Sequence, residues 1–348
     1  MISNWQRRWQ PLLQQWVLIS ARSAARPWSG AISSDKNKAL PTHDPDCYLC
    51  PSVVRANGSR NPDYIGAFAF DNDFPSISCD APDSPPGDTS TWQTSTAPAH
   101  GKCRVLCWSE RHNTTLASLS VEEMCKVVYL WQSEYKQLSK TPGIANVLIF
   151  ENKGVEIGVS NLHPHGQIYA TSFMTDTATR MQTAQANYAS NNANESLLVS
   201  LFNDPHTQQH LIVERNTYFS VIVPFAARFA YETWIVPHRK IPSLSQMNND
   251  ELGELAMVYQ RQVRRYDLLF QRSAPNITLL HNAPCAADEA ALNQHWCFHI
   301  AFHPPLRDPE KLKYLAGFES GSNNIVNPVQ PEIAAKLLRS INVSEWRA

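Results

Sequence analysis

The 348-residue chain has no charge excess of either sign, since 30 Lys and Arg stand against 31 Asp and Glu, a formal net charge of -1. It offers no broadly basic surface to hold nucleic acid by its backbone, and that class of partner is disfavoured. No apolar run is long enough to span a bilayer. The stretch Met1 to Trp16 has arginines but no continuous apolar segment behind them, so no secretory signal is expected. No second cysteine pair repeats the spacing of Cys47 and Cys50, which argues against a four-cysteine metal site. Eight cysteines without a signal segment point to reduced thiols or metal ligands more than to a disulfide framework, and the cytoplasm is the expected setting.

What the chain does have is apolar and aromatic mass. The hydrophobic fraction is 43%, with 10 Trp, 11 Tyr and 13 Phe, enough for a substantial core. The length suits two domains, or one large fold built from related halves. Residues 1–42 read as a strand-poor arm, and residues 80–101, rich in Pro, Ser, Thr, Asp and Gly, as a long surface loop. A short strand is expected over Arg104–Trp108 and a helix over Ser120–Leu138, with Ser120 and Glu123 spaced as a capping box. A strand over 145–150, a glycine-containing loop over 151–161 and a histidine-bearing strand over 163–170 follow, then a polar, partly helical stretch over 175–210.

The second half then repeats the first. Trp234-Ile235-Val236-Pro237-His238 precedes Ser243-Leu244-Ser245, much as Val105-Leu106-Cys107-Trp108 and His112 precede Ser118-Leu119-Ser120. Each is followed by an amphipathic helix, here over Asp250–Phe270, by an apolar strand (Ile277–Leu280), and by a histidine-bearing strand (His295–Phe302). A repeat of this kind predicts two α+β units, 1–174 and 175–348, whose strands form one antiparallel-dominated sheet with helices packed on it.

Two constellations carry chemistry. Cys47-Tyr48-Leu49-Cys50 has the spacing of two thiolates on one tetrahedral zinc, and no βαβ pattern surrounds it to favour a redox role. Two more ligands are needed, and His112 and His163 are the candidates; otherwise the pair is two small buried thiols. The stronger motif is His163-Pro164-His165-Gly166-Gln167. On one strand, residues two apart share a face, so His163, His165 and Gln167 would stand side by side. A neutral imidazole held in one tautomer attacks phosphorus and leaves it well, and a neighbouring carboxamide can donate to a phosphate oxygen. The loop from Asn152 to Asn161 supplies small residues and N–H groups for a phosphate, or is a plain hairpin connection. His281, His295, His299 and His303 form a second group, either paired within the sheet or a metal site.

In this order, the motifs resemble the galactose-1-phosphate uridylyltransferase family of the histidine triad superfamily. The resemblance runs from Trp16–Trp28 and the C-x-x-C unit through Arg60-Asn61-Pro62-Asp63-Tyr64, Phe70-Asp71-Asn72-Asp73-Phe74, Phe150-Glu151-Asn152-Lys153-Gly154 and His163–Gln167. It continues in His281-Asn282-Ala283-Pro284, Asn293-Gln294-His295-Trp296 and Gly317-Phe318-Glu319. It implies a duplicated histidine-triad-like α+β unit forming an antiparallel half-barrel sheet with packed helices. It also implies ping-pong transfer of a uridylyl group from UDP-glucose to galactose-1-phosphate through a covalent histidine. His165 would be the nucleophile, Gln167 would stabilise the intermediate, and the His163 carbonyl would orient the His165 ring. Asn152, Gly158 and Ser160 would lie near the phosphates, Asn72 and Asp73 near uracil and ribose, and Arg26 on phosphate. Cys47, Cys50, His112 and His163 would hold a structural zinc. The family's homodimers lend residues to the partner's site, and Lys313 and Glu319 fall at the lent sugar-contacting positions.

The chain departs from that pattern in places. Met181 and Ala301 replace a glutamate and a histidine of a second metal site, often iron, of which His281 and His299 persist, so no second metal is expected. Ser23 stands where an arginine is usual, with Arg22 beside it. Ile325 stands near an expected glutamine. Another acceptor (phosphate, a different sugar phosphate or water) and a non-catalytic nucleotide-binding scaffold are the competing readings.

Overall fold

The computed structural model describes residues 5–20, 40–82, 96–285 and 294–347. In chain order the strands are β1 (Trp5–Gln10), β2 (Gln15–Ser20), β3 (Phe68–Asp71), β4 (Gly101–Cys107), β5 (Asn146–Lys153), β6 (His165–Thr171), β7 (Ile212–Arg215), β8 (Phe219–Ile222), β9 (Thr233–Pro237), β10 (Asn276–His281), β11 (His299–His303) and β12 (Val326–Asn327). The helices are α1 (Val121–Leu138), α2 (Asp176–Asn191), α3 (Leu197–Asn203), α4 (Asn249–Phe270), α5 (Phe318–Ser322) and α6 (Pro331–Ser340). No described helix is long and apolar enough to cross a membrane.

Nine strands form one antiparallel sheet in the order β3-β4-β6-β5-β10-β11-β9-β8-β7. About the β5–β10 junction the order mirrors itself: β6 and β4 lie outside β5 as β11 and β9 lie outside β10. The chain also visits the two sets in the same sequence, with α1 and α4 at matching points. Both helices start on a reciprocal capping box, Ser120 with Glu123 and Asn248 with Glu251. Both bury a stripe at helical spacing, including Met124, Val127, Trp131 and Tyr135 on α1 and Leu252, Leu255, Tyr259 and Tyr266 on α4. The twelfth residue after each N-cap is a glutamine that reaches into the other half. Gln132 Nε2 donates to the carbonyls of Leu244 and Met247, and Gln260 Nε2 to those of Leu116 and Leu119. Each helix thereby satisfies the buried backbone leading into its counterpart. The mixed α+β architecture around a large antiparallel sheet is the one the repeat predicts.

α1 and α4 cover one face of the sheet with a single large core. On the other face, α2 and α3 pack over the second half through Met181, Leu197, Phe202, Trp234 and Trp296. The Cys47–Tyr64 region packs on β3 and β4 through Cys47, Cys50, Tyr64, Phe70, Val105 and Cys107. Between these two covers lie β6 and β5, whose outward residues His165, Gln167 and Phe150 are only partly buried. Nothing in the topology requires that strip to be open, so its exposure directs attention to what it carries.

Several expectations need correction. The N-terminal arm is not strand-poor: β1 and β2 form a hairpin, with β12 joined parallel to β2. Arg8 disguised its alternation. That side chain is buried over the Phe225 ring at 4.2 Å and paired with Glu332 at 2.9 Å, so a charged residue fills an inward position. β5 runs on to Lys153 because β10 pairs with its polar end, Ile277 opposite Asn152 and Asn276 opposite Lys153. The histidine strands begin at His165 and His299, so His163 and His295 precede them. Of the 80–101 loop, residues 83–95 lie outside the described residues.

Candidate active site and metal centre

The local backbone places His165. β6 pairs on both sides, with Cys107 opposite His165 and Phe150 opposite Gln167. Alternation sends Gly166, Ile168 and Ala170 into the helix-covered core and leaves His165 and Gln167 on the open face. Gly166 is required there by space. A Cβ would lie 2.3 Å from Trp108 Cζ2 and 2.7 Å from the Phe150 carbonyl oxygen. The Trp108 indole is fixed in turn, its Nε1 donating to buried Glu151 at 2.9 Å, and the Glu151 carboxyl is pushed up by burial. Sequence reasoning gave no role to Trp108 or Glu151, because the packing that unites them crosses three strands.

His165 Nδ1 lies 2.7 Å from the His163 carbonyl oxygen. A carbonyl only accepts, so Nδ1 carries the proton and the Nε2 lone pair is directed outward. Burial lowers the pKa of His165, with the carbonyl opposing part of that shift, so the ring is neutral near pH 7. A neutral, oriented imidazole with a carboxamide two residues along can form and release a bond to phosphorus.

The His163 ring points the other way, into the metal cluster. Because β6 begins at His165, His163 does not share its face. His163 Nε2 donates to the Ser109 carbonyl at 2.9 Å, which leaves Nδ1 as a lone pair, and that Nδ1 lies 3.5 Å from Cys50 Sγ. His112 Nδ1 lies 3.7 Å from the same sulphur. The four ligand atoms of Cys47, Cys50, His112 and His163 all fall within 4.8 Å of one another and all four residues are buried. Zinc bonds of about 2.3 Å to sulphur and 2.0 Å to nitrogen give tetrahedral S–N edges of about 3.5 Å. The donor set therefore fits a tetrahedral cation. Burial pushes the Cys50 thiol up to about 11 and His163 down to about 4, and a bound cation would favour the Cys50 thiolate and neutral His163.

The supports of this cluster were not identified from sequence as a group. Asn161 Nδ2 donates to Cys47 Sγ at 3.3 Å, and its Oδ1 accepts from His163 N at 2.9 Å. Asn61 bonds the carbonyls of Tyr48 and Cys50, and Tyr64 that of Leu49. The Arg60–Tyr64 motif was visible, but only the folded knuckle shows what its side chains hold. The four-residue cluster and the His165 imidazole are thus joined through one residue. His163 offers its ring to the cluster and its carbonyl to His165.

Other expected residues fall at varied distances. Asn152 sits on β5 two residues beyond Phe150, on the same face. Gly158 has φ 85°, a left-handed conformation, and Ser160 is exposed beyond it. Asn72 and Asp73 follow β3, where Asn72 N bonds Cys103 and Asp73 pairs with Arg55 at 3.5 Å. They stand two strands and four residues from His165, roughly 15 Å by ordinary strand spacings. Lys313 and Glu319 form a partly buried ion pair, and Glu319 also accepts from Val326 N at 2.8 Å. Neither the pair nor Val326 lies on β6. Arg26, Ser23 and Arg22 lie outside the described residues. A cavity of about 770 Å³ between Trp9, Tyr188, Phe225 and Trp234 is lined by none of His165, Gln167, Cys47, Cys50, His112 and His163.

In the second half, the position matching His165 is His299. Its Nδ1 faces the Cys297 carbonyl at 3.5 Å, a looser version of the His163–His165 contact. His299 stacks on His281 with centroids 4.7 Å apart, and burial lowers the pKa of both, His281 to about 4. Met181 and Ala301 belong to the apolar cluster beneath α2.

Comparison with known proteins agrees with this architecture. The family model described as galactose-1-phosphate uridyl transferase, N-terminal domain, matches residues 2–175, and the corresponding C-terminal domain model matches residues 181–347. Galactose-1-phosphate uridylyltransferase of Rattus norvegicus is 36% identical over 334 residues, covering 95% of this chain and 86% of that one. The Haemophilus influenzae enzyme of the same name is 34% identical over 342 residues, covering 98% and 95%. Among solved structures, an ADP-glucose phosphorylase from Arabidopsis thaliana with bound ADP-glucose superposes with a TM-score of 0.78 at 19% identity, covering 97% of this chain and 98% of that one. A uridylyltransferase structure gives 0.76 at 22% identity, covering 96% and 97%. At those identities the superpositions speak for the fold alone, whereas the family models and sequence relatives cover nearly the whole chain. This chain belongs to the galactose-1-phosphate uridylyltransferase family.

Proposed function

We propose that the protein is a nucleotidyltransferase that moves the uridylyl group of UDP-glucose to galactose-1-phosphate. His165 Nε2 attacks the uridylyl phosphorus; the N–P bond forms as the bond to the bridging oxygen breaks and glucose-1-phosphate leaves. A phosphate oxygen of galactose-1-phosphate then attacks the same phosphorus, and His165 departs neutral. The observation that carries this reading is the 2.7 Å contact of His165 Nδ1 with the His163 carbonyl, with Gln167 on the same open face. Gln167 donates to the phosphorus-bound oxygens as charge develops. Asn152, Gly158 and Ser160 line the diphosphate, and Asn72 and Asp73 take the nucleoside.

The Cys47–Cys50–His112–His163 cluster holds a zinc whose role is structural, since its ligand set leaves no open position for substrate. A second metal is not part of this reading, because two imidazoles flanked by Met181 and Ala301 are too few donors. The functional unit is a homodimer in which Lys313 and Glu319 of one protomer complete a site centred on the partner's nucleophile, and Arg26 helps hold phosphate. The halves 1–174 and 175–348 are the two repeats of the fold. Eight free cysteines fit a reducing, cytoplasmic setting.

One observation favours a second acceptor. Ile325, near a glutamine of the family pattern, is buried with Val17, Ile19 and Ala226, and its alkyl side chain has no group to hydrogen-bond a sugar hydroxyl. The test is intact-protein mass spectrometry with UDP-glucose alone, followed by separate sugar-1-phosphates. A uridylyl-sized gain in wild-type protein, absent in His165→Gly, and discharged by galactose-1-phosphate is expected. Discharge only by another acceptor would replace the substrate, and a gain in His165→Gly would overturn the covalent assignment.

A further inference from the structure

The loop that carries Gly158 and Ser160 is poorly secured by its own sequence. Its single 3-10 turn, Val155–Ile157, lies between Gly154 at φ 109° and Gly158 at φ 85°, and Val155 is 64% exposed. Two glycines at positive φ around one short turn leave the backbone free to choose other conformations. What fixes it comes from the other half of the molecule, at the turn between α4 and β10. Lys153 Nζ, just before the loop, lies 3.1 Å from Asp267 Oδ1. Glu156, inside the turn, is paired with Arg272, and those side chains are only 5% and 11% exposed. Gly154 packs so closely on Pro275 that a Cβ would lie 2.6 Å from its ring.

The α4–β10 turn is itself well held. Asp267 Oδ1 also accepts from Ala274 N at 2.8 Å, its carbonyl accepts from Arg272 N at 3.1 Å, and its Oδ2 accepts from Trp346 Nε1 at 3.3 Å. A glycine-flanked segment is therefore held against a well-bonded one at three points, Lys153, Gly154 and Glu156. We infer that Glu156 and Arg272, with Lys153 and Asp267, form a clasp through which the C-terminal half sets the phosphate-binding loop, Glu156 and Arg272 acting as positioning residues for the nucleotide-sugar donor. The inference rests on the proposed function for the identity of the ligand, and on geometry alone for the clasp.

Charge makes the clasp more than a mechanical tie. Glu156 is two residues from Gly158 and four from Ser160, so an unpaired carboxylate there would oppose an incoming diphosphate. Arg272 neutralises it while the pair is largely excluded from water, where such an interaction is strongest. The two halves of the pair are accordingly not equivalent. Arg272→Gln loosens the loop and leaves its negative charge, whereas Glu156→Gln loosens the loop and removes it. A purely structural role would instead give both variants the same kinetic defect in proportion to lost stability.

Two measurements on the full-length protein test this. Hydrogen exchange at residues 154–161 should accelerate about tenfold in both variants, the scale of one coupled contact pair. The donor concentration for half-maximal uridylylation, read by intact mass, should rise about tenfold in Arg272→Gln and less in Glu156→Gln. The reversed pair Glu156→Arg/Arg272→Glu should recover most of the loss in both. If Arg272→Gln fails to fold, Lys153→Met tests the mechanical tie by hydrogen exchange, and the reversed pair against Glu156→Gln tests the charge. Exchange unchanged in the variants would overturn the clasp, and equal donor defects in the two would overturn its electrostatic part. Wild-type protein that takes no label from any nucleotide sugar would defeat the functional reading, and hydrogen exchange would still decide the clasp.

Discussion

At the scale of single residues, the site depends on Gly166 as much as on the histidine before it. The His165 imidazole is aimed by a carbonyl two residues upstream, but the strand can bring it there only because residue 166 has no side chain, its space being taken by the Trp108 indole and the Phe150 carbonyl. Gly166→Ala should cost about 1–3 kcal/mol, the usual range for overpacking a well-filled interior. It should also displace the backbone between His165 and Gln167, slowing uridylylation more than it lowers thermal stability. Calorimetry together with the rate of mass gain checks both, and a variant with normal stability and rate would show that the strand can shift without moving the imidazole. The H-x-H-x-Q pattern made His165 and Gln167 visible in the sequence, since alternation is a local rule. It misled for His163, because the chain bends before the strand begins and sends that ring into the metal cluster. Local periodicity cannot reveal where a strand's hydrogen-bonding partners start.

At the scale of elements, the C-x-x-C knuckle and β6 are coupled through His163. The spacing of Cys47 and Cys50 was enough to suggest metal, but His112 and His163 are 62 and 113 residues from Cys50, so only the fold assembles the ligand set. The same limit hid the role of Asn61, Tyr64, Ser109 and Asn161, whose bonds hold the ligands in place. Cys50→Ser removes a ligand that faces both imidazoles. Zinc per chain should fall below stoichiometric and the melting temperature by several degrees, because metal binding to a folded site is itself folding free energy. Uridylylation should persist in the fraction that remains folded, since the His163 carbonyl, not its ring, contacts His165. Elemental analysis and single-turnover labelling separate the two effects. Unchanged zinc content would remove Cys50 from the ligand set. Complete loss of labelling in folded, zinc-depleted protein would make the metal's role catalytic rather than structural.

At the scale of the whole molecule, the repeat was legible because each half has its own helix-start signals and apolar strand, and the mirrored strand order follows from it. The ties between distant segments were not, because a charged residue in an inward position reads as surface. Arg8 is the case that shows this most directly. It bridges the N-terminal hairpin to α6 through Glu332 at 2.9 Å, and His206 Nε2 reaches the same carboxylate at 2.8 Å. Burial raises the pKa of Glu332, but hydrogen bonds from Arg8, its own backbone and His206 outweigh it and hold the carboxyl below 4.5. A carboxylate depressed in the folded state gives stability that is fully present above its unfolded value and is lost as pH falls through the folded one. Glu332→Gln should therefore lower the melting temperature at neutral pH, where Arg8 loses its partner. The gap from wild type should close as pH drops below about 4.5, because protonation removes the same charge from the wild-type protein. Melting curves of both proteins across the acid range check this. A gap that stays constant with pH would mean that Glu332 stabilises the hairpin by shape and hydrogen bonding alone, and that its charge contributes nothing to joining the two ends of the chain.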